Sequence, residues 1–170
     1  MVGSFRALIF GITKFLSVSE PSLQTAVAVT RDSTTAMQVT PEFPLRILIA
    51  DDDQFSMAIS KHVLGMTFKQ LYLKTTMNGQ EVIDALKEEP FDIILLDLNM
   101  PVMNGFEATI IIRNNFEAPL NLISIVALTG SDQDEDIQRA KLAGMNDYIV
   151  KPFKPGDLIA KVRANTARIF

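Results

Sequence analysis

The 170-residue chain contains no cysteine. Disulfides and thiolate metal sites are therefore excluded, and nothing points to an oxidising compartment. There is one histidine, His62, which leaves little basis for a multi-histidine zinc site or a Ser-His triad. A net charge of −4 supplies no electrostatic footprint for direct nucleic-acid binding. No apolar run is long enough to span a bilayer. The longest near the start is Ala7 to Ile12, followed by Thr13, Lys14 and then Phe15 to Val18. Arg6 ahead of it and small residues after it make a faint signal-peptide pattern, outweighed by the intracellular character of the rest. The expectation is a cytoplasmic chain that makes no membrane contact of its own.

The composition that is present is ordinary for a soluble globular protein, 48% hydrophobic and 21% charged. The length suggests one domain with some chain left over. Residues 1–43 differ in character from the remainder of the chain. Arg6 to Leu16 has the pattern of a short amphipathic helix, and Pro21 breaks it. Thr25 to Thr30 and Ala36 to Thr40 have weak β character around a polar turn, and Pro41 and Pro44 bracket a linker. This region reads as an arm or linker, or the remnant of a preceding domain. Residues 44–170 read as the folded domain.

From Arg46 onward the pattern is regular. Strands are predicted at Arg46 to Ala50, Leu71 to Thr75, Ile93 to Leu96, Ile123 to Leu128 and Tyr148 to Val150. Helices are predicted at Gln54 to Leu64, Gly79 to Lys87, Gly105 to Arg113, Asp132 to Ala143, and Pro155 to about Arg168. Asp53 reads as an N-cap, and Gly65 and Gly144 as C-terminal stops. Strict alternation of strand and helix predicts an α/β fold, a parallel sheet covered on both faces with right-handed crossovers.

The residues just after each strand carry the chemistry. Asp51, Asp52 and Asp53 follow the first strand, Asp97 the third, Thr129 the fourth and Lys151 the fifth. In a flavodoxin-like order, 2-1-3-4-5, the first and third strands are neighbours at the switch point. Asp51, Asp52 and Asp97 then converge in one crevice. Three carboxylates repel unless a cation sits among them. Hard oxygen ligands in small number suit Mg²⁺, which keeps several waters and shares a phosphate. Lys151 adds a point charge, Thr129 a hydroxyl, and Gly130 leaves space. Together they form a site for a phosphoryl group on Asp97.

Four stretches in order, Ile47 to Asp53, Asp97 with Met100-Pro101 and Asn104-Gly105, Ala127 to Gly130, and Tyr148 to Phe153, resemble the receiver domain of two-component response regulators. The wording around Asn104 to Thr109 and Ala143 to Tyr148 is most similar to the receivers of hybrid sensor histidine kinases. The resemblance implies that Asp97 is the phosphoacceptor, taking its phosphoryl group from a phosphohistidine on a histidine kinase or histidine phosphotransfer protein. It implies that Asp51, Asp52, Asp97 and the Asn99 backbone carbonyl hold Mg²⁺, or Mn²⁺ in its place. It implies that Lys151 pairs with the acceptor and that Thr129 and Tyr148 are the switch residues. The face of the fourth helix and fifth strand would then be remodelled, and a homodimer through that face is open. Such a domain would catalyse its own phosphorylation and slow dephosphorylation, without a kinase core.

Bland readings stand beside these. Asp53 reads as a cap, His62 as a helix-surface residue, and Met57, Met66, Met77 and Met145 as core or interface fillers. The acidic run Asp132, Asp134, Glu135 and Asp136 reads as a solvated face. A dinucleotide-binding turn is excluded, because three aspartates stand where glycines are needed. A dehalogenase-like phosphatase would need a second acid where Asn99 stands. The serious rival is a receiver-like docking module that works without phosphorylation.

Overall fold

The computed structural model describes residues 44–130 and 134–167. The arm, the possible hairpin and the boundary near Pro44, together with Asp132 and Arg168, lie outside the described residues or at their edge. The elements run β1 (Leu45–Ala50), α1 (Gln54–Thr67), β2 (Leu71–Thr76), α2 (Gly79–Glu88), β3 (Ile93–Asp97) and α3 (Gly105–Asn115). They continue with a 3₁₀ turn (Leu120–Leu122), β4 (Ser124–Thr129), α4 (Asp134–Ala143), β5 (Asp147–Val150) and α5 (Pro155–Thr166). All pairings are parallel, and the strand order is β2-β1-β3-β4-β5. This is the flavodoxin-like fold expected from the sequence.

The three central strands are apolar through their middles, at residues 47–50, 93–96 and 125–128, because both faces are covered. Leu48, Ala50, Ile94, Leu96, Ile125 and Ala127 point to one side, where Val82, Ile83 and Leu86 of α2 and Ala108 and Ile112 of α3 meet them. Ile47, Ile49, Ile93, Leu95, Val126 and Leu128 point to the other, against Leu64 of α1 and Leu158 and Val162 of α5. Every one of these strand residues is fully buried. At about 1.5–3 kcal/mol per large apolar side chain, this core holds the strand ends in place.

Local chemistry sets the helix starts. Asp53 accepts the Phe55 and Ser56 N–H groups, as expected of a cap. Asn78 caps α2, and Asn104 with Glu107 forms a capping box on α3. Pro155 occupies the first turn of α5. At the other end of α4, Gly144 (φ 99°) donates to the Lys141 carbonyl while Met145 donates to that of Ala140. That pattern is a Schellman stop, as expected.

Gly65 is a correction. It does not end α1, which continues to Thr67 and is closed by the Phe68 N–H on the Leu64 carbonyl. Gly65 is exposed, has nothing near its missing Cβ, and does not take a positive φ, so it stays helical. Ile123 is a second correction, since it closes the 3₁₀ turn and β4 begins at Ser124. Core filling holds for buried Met145, while Met66 and Met77 are exposed and Met57 is half-buried. His62 lies exposed on α1. No helix among the described residues is long and apolar enough to cross a membrane.

Candidate functional site

Side-chain alternation decides which strand-end residues can meet. Ala50 and Leu96 pair across β1 and β3 and point toward α2 and α3. The next residue on each strand, Asp51 and Asp97, therefore points to the α1 and α5 side. On β5, Ile149 also points to that side, so Lys151 two residues on does the same. Three strands thus deliver two acids and a lysine to one crevice at the carboxyl end of the sheet.

The distances bear this out. Lys151 Nζ lies 2.6 Å from Asp51 Oδ2 and 2.6 Å from Asp97 Oδ2. Asp51 is fully buried and Asp97 is 7% exposed, so neither is an ordinary surface acid. Asp52 is exposed, yet oxygens of Asp51, Asp52 and Asp97 all lie within 4.8 Å of one another. The remaining oxygens are oriented from the backbone. Asp51 Oδ1 accepts the Asp53 N–H at 3.0 Å, and Asp97 Oδ1 accepts the Asn99 N–H at 2.9 Å.

Charge in the crevice is unbalanced, with three acids facing one lysine. Burial pushes the Asp51 carboxyl above its ordinary value, and Asp97 adds to the rise. Hydrogen bonds from Lys151 and the Asp53 N–H oppose it without winning. For Lys151, burial pulls the ammonium down, but hydrogen bonds to Asp51 and Asp97 outweigh it and hold it above its ordinary value. The lysine is firmly charged, and one lysine is not enough. A second cation fits this donor set, and three hard oxygen donors suit Mg²⁺.

The loop after Asp97 is braced from two helices. The Gly105 N–H donates to the Leu98 carbonyl, and a Cβ on Gly105 would collide with the Asp97 carbonyl oxygen. The Gly79 N–H donates to the Met103 carbonyl at 2.8 Å, and a Cβ on Gly79 would come within 2.8 Å of Met103 Cγ. At the loop's tip Val102 has φ 68°, with the Met103 N–H donating to the Pro101 carbonyl at 2.7 Å. That is a strained γ-turn.

The other expected residues sit around the crevice. Thr129 ends β4, is 2% exposed, and its carbonyl accepts the Lys151 N–H at 2.6 Å. By alternation its side chain points toward α4. Tyr148 pairs with Ala127, packs on that same side and is half-buried, outside the acid cluster. Asn99 is exposed at the rim. The Lys151–Pro152 bond is cis. Not foreseen were the bracing role of Gly79, the Val102 turn and an ion pair between Asp147 and Lys161. A glycine directly after a helix cap signals the first; the others depend on tertiary contacts that no short motif encodes.

A 2-1-3-4-5 sheet with buried acids ending β1 and β3 and a lysine ending β5 defines a CheY-like receiver. The chain belongs to the response regulator receiver domain family of two-component signalling, whose model matches residues 47–163. It is 36% identical over 125 residues to the DNA-binding response regulator MtrA of Mycobacterium tuberculosis, covering 72% of this chain and 51% of that protein. It is 34% identical over 121 residues to hybrid signal transduction histidine kinase G of Dictyostelium discoideum, 71% of this chain and 4% of the kinase. The chain thus spans about half the length of the first relative and a small part of the second. Among solved structures, a putative response regulator from Chloroflexus aurantiacus superposes with a TM-score of 0.67 at 26% identity, covering 74% of this chain and 99% of that one. The receiver domain of sensor histidine kinase PA1611 from Pseudomonas aeruginosa superposes with a TM-score of 0.66 at 26% identity, covering 73% and 98%. That structure holds a magnesium ion coordinated in its active site cleft.

Proposed function

We propose that this domain accepts a phosphoryl group on Asp97 from a phosphohistidine on a histidine kinase or histidine phosphotransfer protein. The observation that carries the reading is the contact of Lys151 Nζ with both Asp51 and Asp97 at 2.6 Å, inside a cluster that still has acid in excess. The receiver is read as residues 44–170, acting in the cytoplasm.

An Asp97 oxygen attacks phosphorus, the N–P bond to the imidazole breaks, and the imidazole leaves. Lys151 then passes from the carboxylate to the phosphoryl oxygens. Thr129 donates its hydroxyl from β4. Asp51, Asp52, Asp97 and the Asn99 backbone carbonyl would hold Mg²⁺, or Mn²⁺ in its place. When bound, the ion neutralises charge between the acceptor and the incoming phosphoryl group. At roughly 4 Å and an effective dielectric near 20, one unscreened pair of unit charges costs about 4 kcal/mol, about a thousandfold in rate. The rest of catalysis is positioning, which the braced loop supplies.

On α1, Phe55 is 73% exposed at the end nearest the crevice, and Ile59 and Met66, 39% and 78% exposed, continue the same helical face toward its other end. These side chains suit contact with the helical partner that bears the histidine. Thr129 and Tyr148 share the α4 side, so phosphorylation would be read out there. Leu142 on α4 is 86% exposed and gives that face an apolar contact for an output partner or a second copy.

Incubation with acetyl phosphate and Mg²⁺, borohydride trapping and peptide mapping test the reading. Label is expected on Asp97, about a thousandfold slower in EDTA and absent from Asp97→Asn. Trapping at a carboxylate other than Asp97, or undiminished transfer in EDTA, would overturn it.

A further inference from the structure

The edge strand β5 carries a second charged cluster that the chemistry above does not use. Asp147 pairs in register with Val126, which faces α5, and so lies on the α5 side. Its Oδ1 accepts the Tyr148 N–H at 2.9 Å and Lys161 Nζ at 2.6 Å. Its Oδ2 accepts Asn165 Nδ2 at 3.2 Å. Burial pushes the Asp147 carboxyl up, but the bonds from Lys161, the Tyr148 N–H and Asn165 outweigh it and leave it below its ordinary value.

Tyr148 points to the opposite side of the sheet. It borders a small cavity of about 70 Å³ beside α4, lined also by Ile137, Ala140, Lys141, Met145, Asn146 and Asp147. Because β5 is the edge strand, Lys161 reaches past the edge, and its Nζ lies 5.5 Å from the Tyr148 ring centroid. One ammonium therefore ties down both the ring and the residue before it. The cavity leaves the ring room on its α4 side, so the tether acts from one side only.

We propose that Lys161 is a positioning residue for Tyr148, holding the ring in its resting place against movement toward Thr129. The inference rests on the reading of Thr129 and Tyr148 as the switch pair. A partly exposed ion pair and a cation–π contact each bias an equilibrium by about two- to fivefold. Removing the bias shifts the resting domain toward its phosphate-receptive form, and acceptance rises in the same proportion.

The chain has two tyrosines, Tyr72 and Tyr148, so 3-fluorotyrosine labelling gives two ¹⁹F resonances, assigned with Tyr72→Phe. Lys161→Met keeps the aliphatic stem and removes the charge; Lys161→Arg keeps the charge. In Lys161→Met, which loses both contacts, the Tyr148 line should move before any phosphate is added, and acetyl phosphate should label Asp97 about four- to twenty-five-fold faster. Lys161→Arg should restore both. Asp147→Asn, which keeps an acceptor for the Tyr148 N–H, should move both in the same direction by less. An unchanged line, a moved line with an unchanged labelling rate, or Lys161→Arg behaving as Lys161→Met would each overturn the proposal. A parent chain that takes no phosphate would sink the proposed function instead. The Tyr148 lines of the two Lys161 variants would still decide whether the ring is held.

Discussion

The two ends of the sheet treat charge in opposite ways. At the amino end, Arg46 stacks 4.2 Å over the Tyr72 ring, pairs with Glu89 and donates to the Pro90 carbonyl, while its N–H meets Asp92. Nearby, Arg113 at the end of α3 is half-buried and bonds the Asn121, Ile123 and Gly144 carbonyls and Asn146 Oδ1. Both arginines are answered from within, Arg46 by an acid and Arg113 by carbonyl and amide oxygens. At the carboxyl end, three acids cluster beside one lysine that pairs with only two of them, and Asp51 is pushed toward its protonated form. Charge that only holds the fold together is closed off inside it. Charge left unbalanced in a buried crevice marks where something must bind.

The largest effect should come from opening the amino end. Burial pulls the Arg113 guanidinium below its ordinary value, so it is held by hydrogen bonds rather than by an acid. Asn146 Oδ1 also accepts the Ile125 N–H, so this knot starts the β4–β5 pairing. Arg113→Met leaves these acceptors short and should cost about 2–3 kcal/mol in chemical denaturation. The rate at which acetyl phosphate labels Asp97 should not change, because the crevice lies at the other end.

A smaller effect of opposite sign is expected at the carboxyl end. Val102 is 85% exposed, and its φ of 68° is one that a valine rarely adopts. Val102→Gly relieves roughly 1–3 kcal/mol of strain and gives back about 0.5–1 kcal/mol of chain entropy, a net gain of about 1 kcal/mol in thermal unfolding. A loss of stability would show that the turn is not strained.

Much of this was legible because it is local. Apolar runs bounded by Asp53, Asn78 and Asn104 mark strands and capped helices without tertiary information. Asp51, Asp97 and Lys151 stand at strand ends, where period-two alternation and strand order bring them together. Gly65 misled because a glycine near a helix end stops it only when the backbone turns left-handed, as at Gly144 and not at Gly65. The Arg113 knot joins residues up to 33 apart in the chain, and Lys161 reaches Asp147 around a sheet edge, so neither leaves a short-range pattern.

The unanswered charge at the carboxyl end is tested most directly by stability against pH, with and without Mg²⁺, for the parent and Asp51→Asn. A carboxyl whose pKa is raised on folding binds its proton more tightly in the native state. Stability is therefore lost as pH rises from the unfolded value of 3.8 through the raised folded value. Without metal, the parent should lose stability relative to Asp51→Asn across that window and stay below it at neutral pH. Mg²⁺ should then restore the parent and do far less for the variant. Parallel pH curves, with Mg²⁺ stabilising both chains equally, would contradict the account.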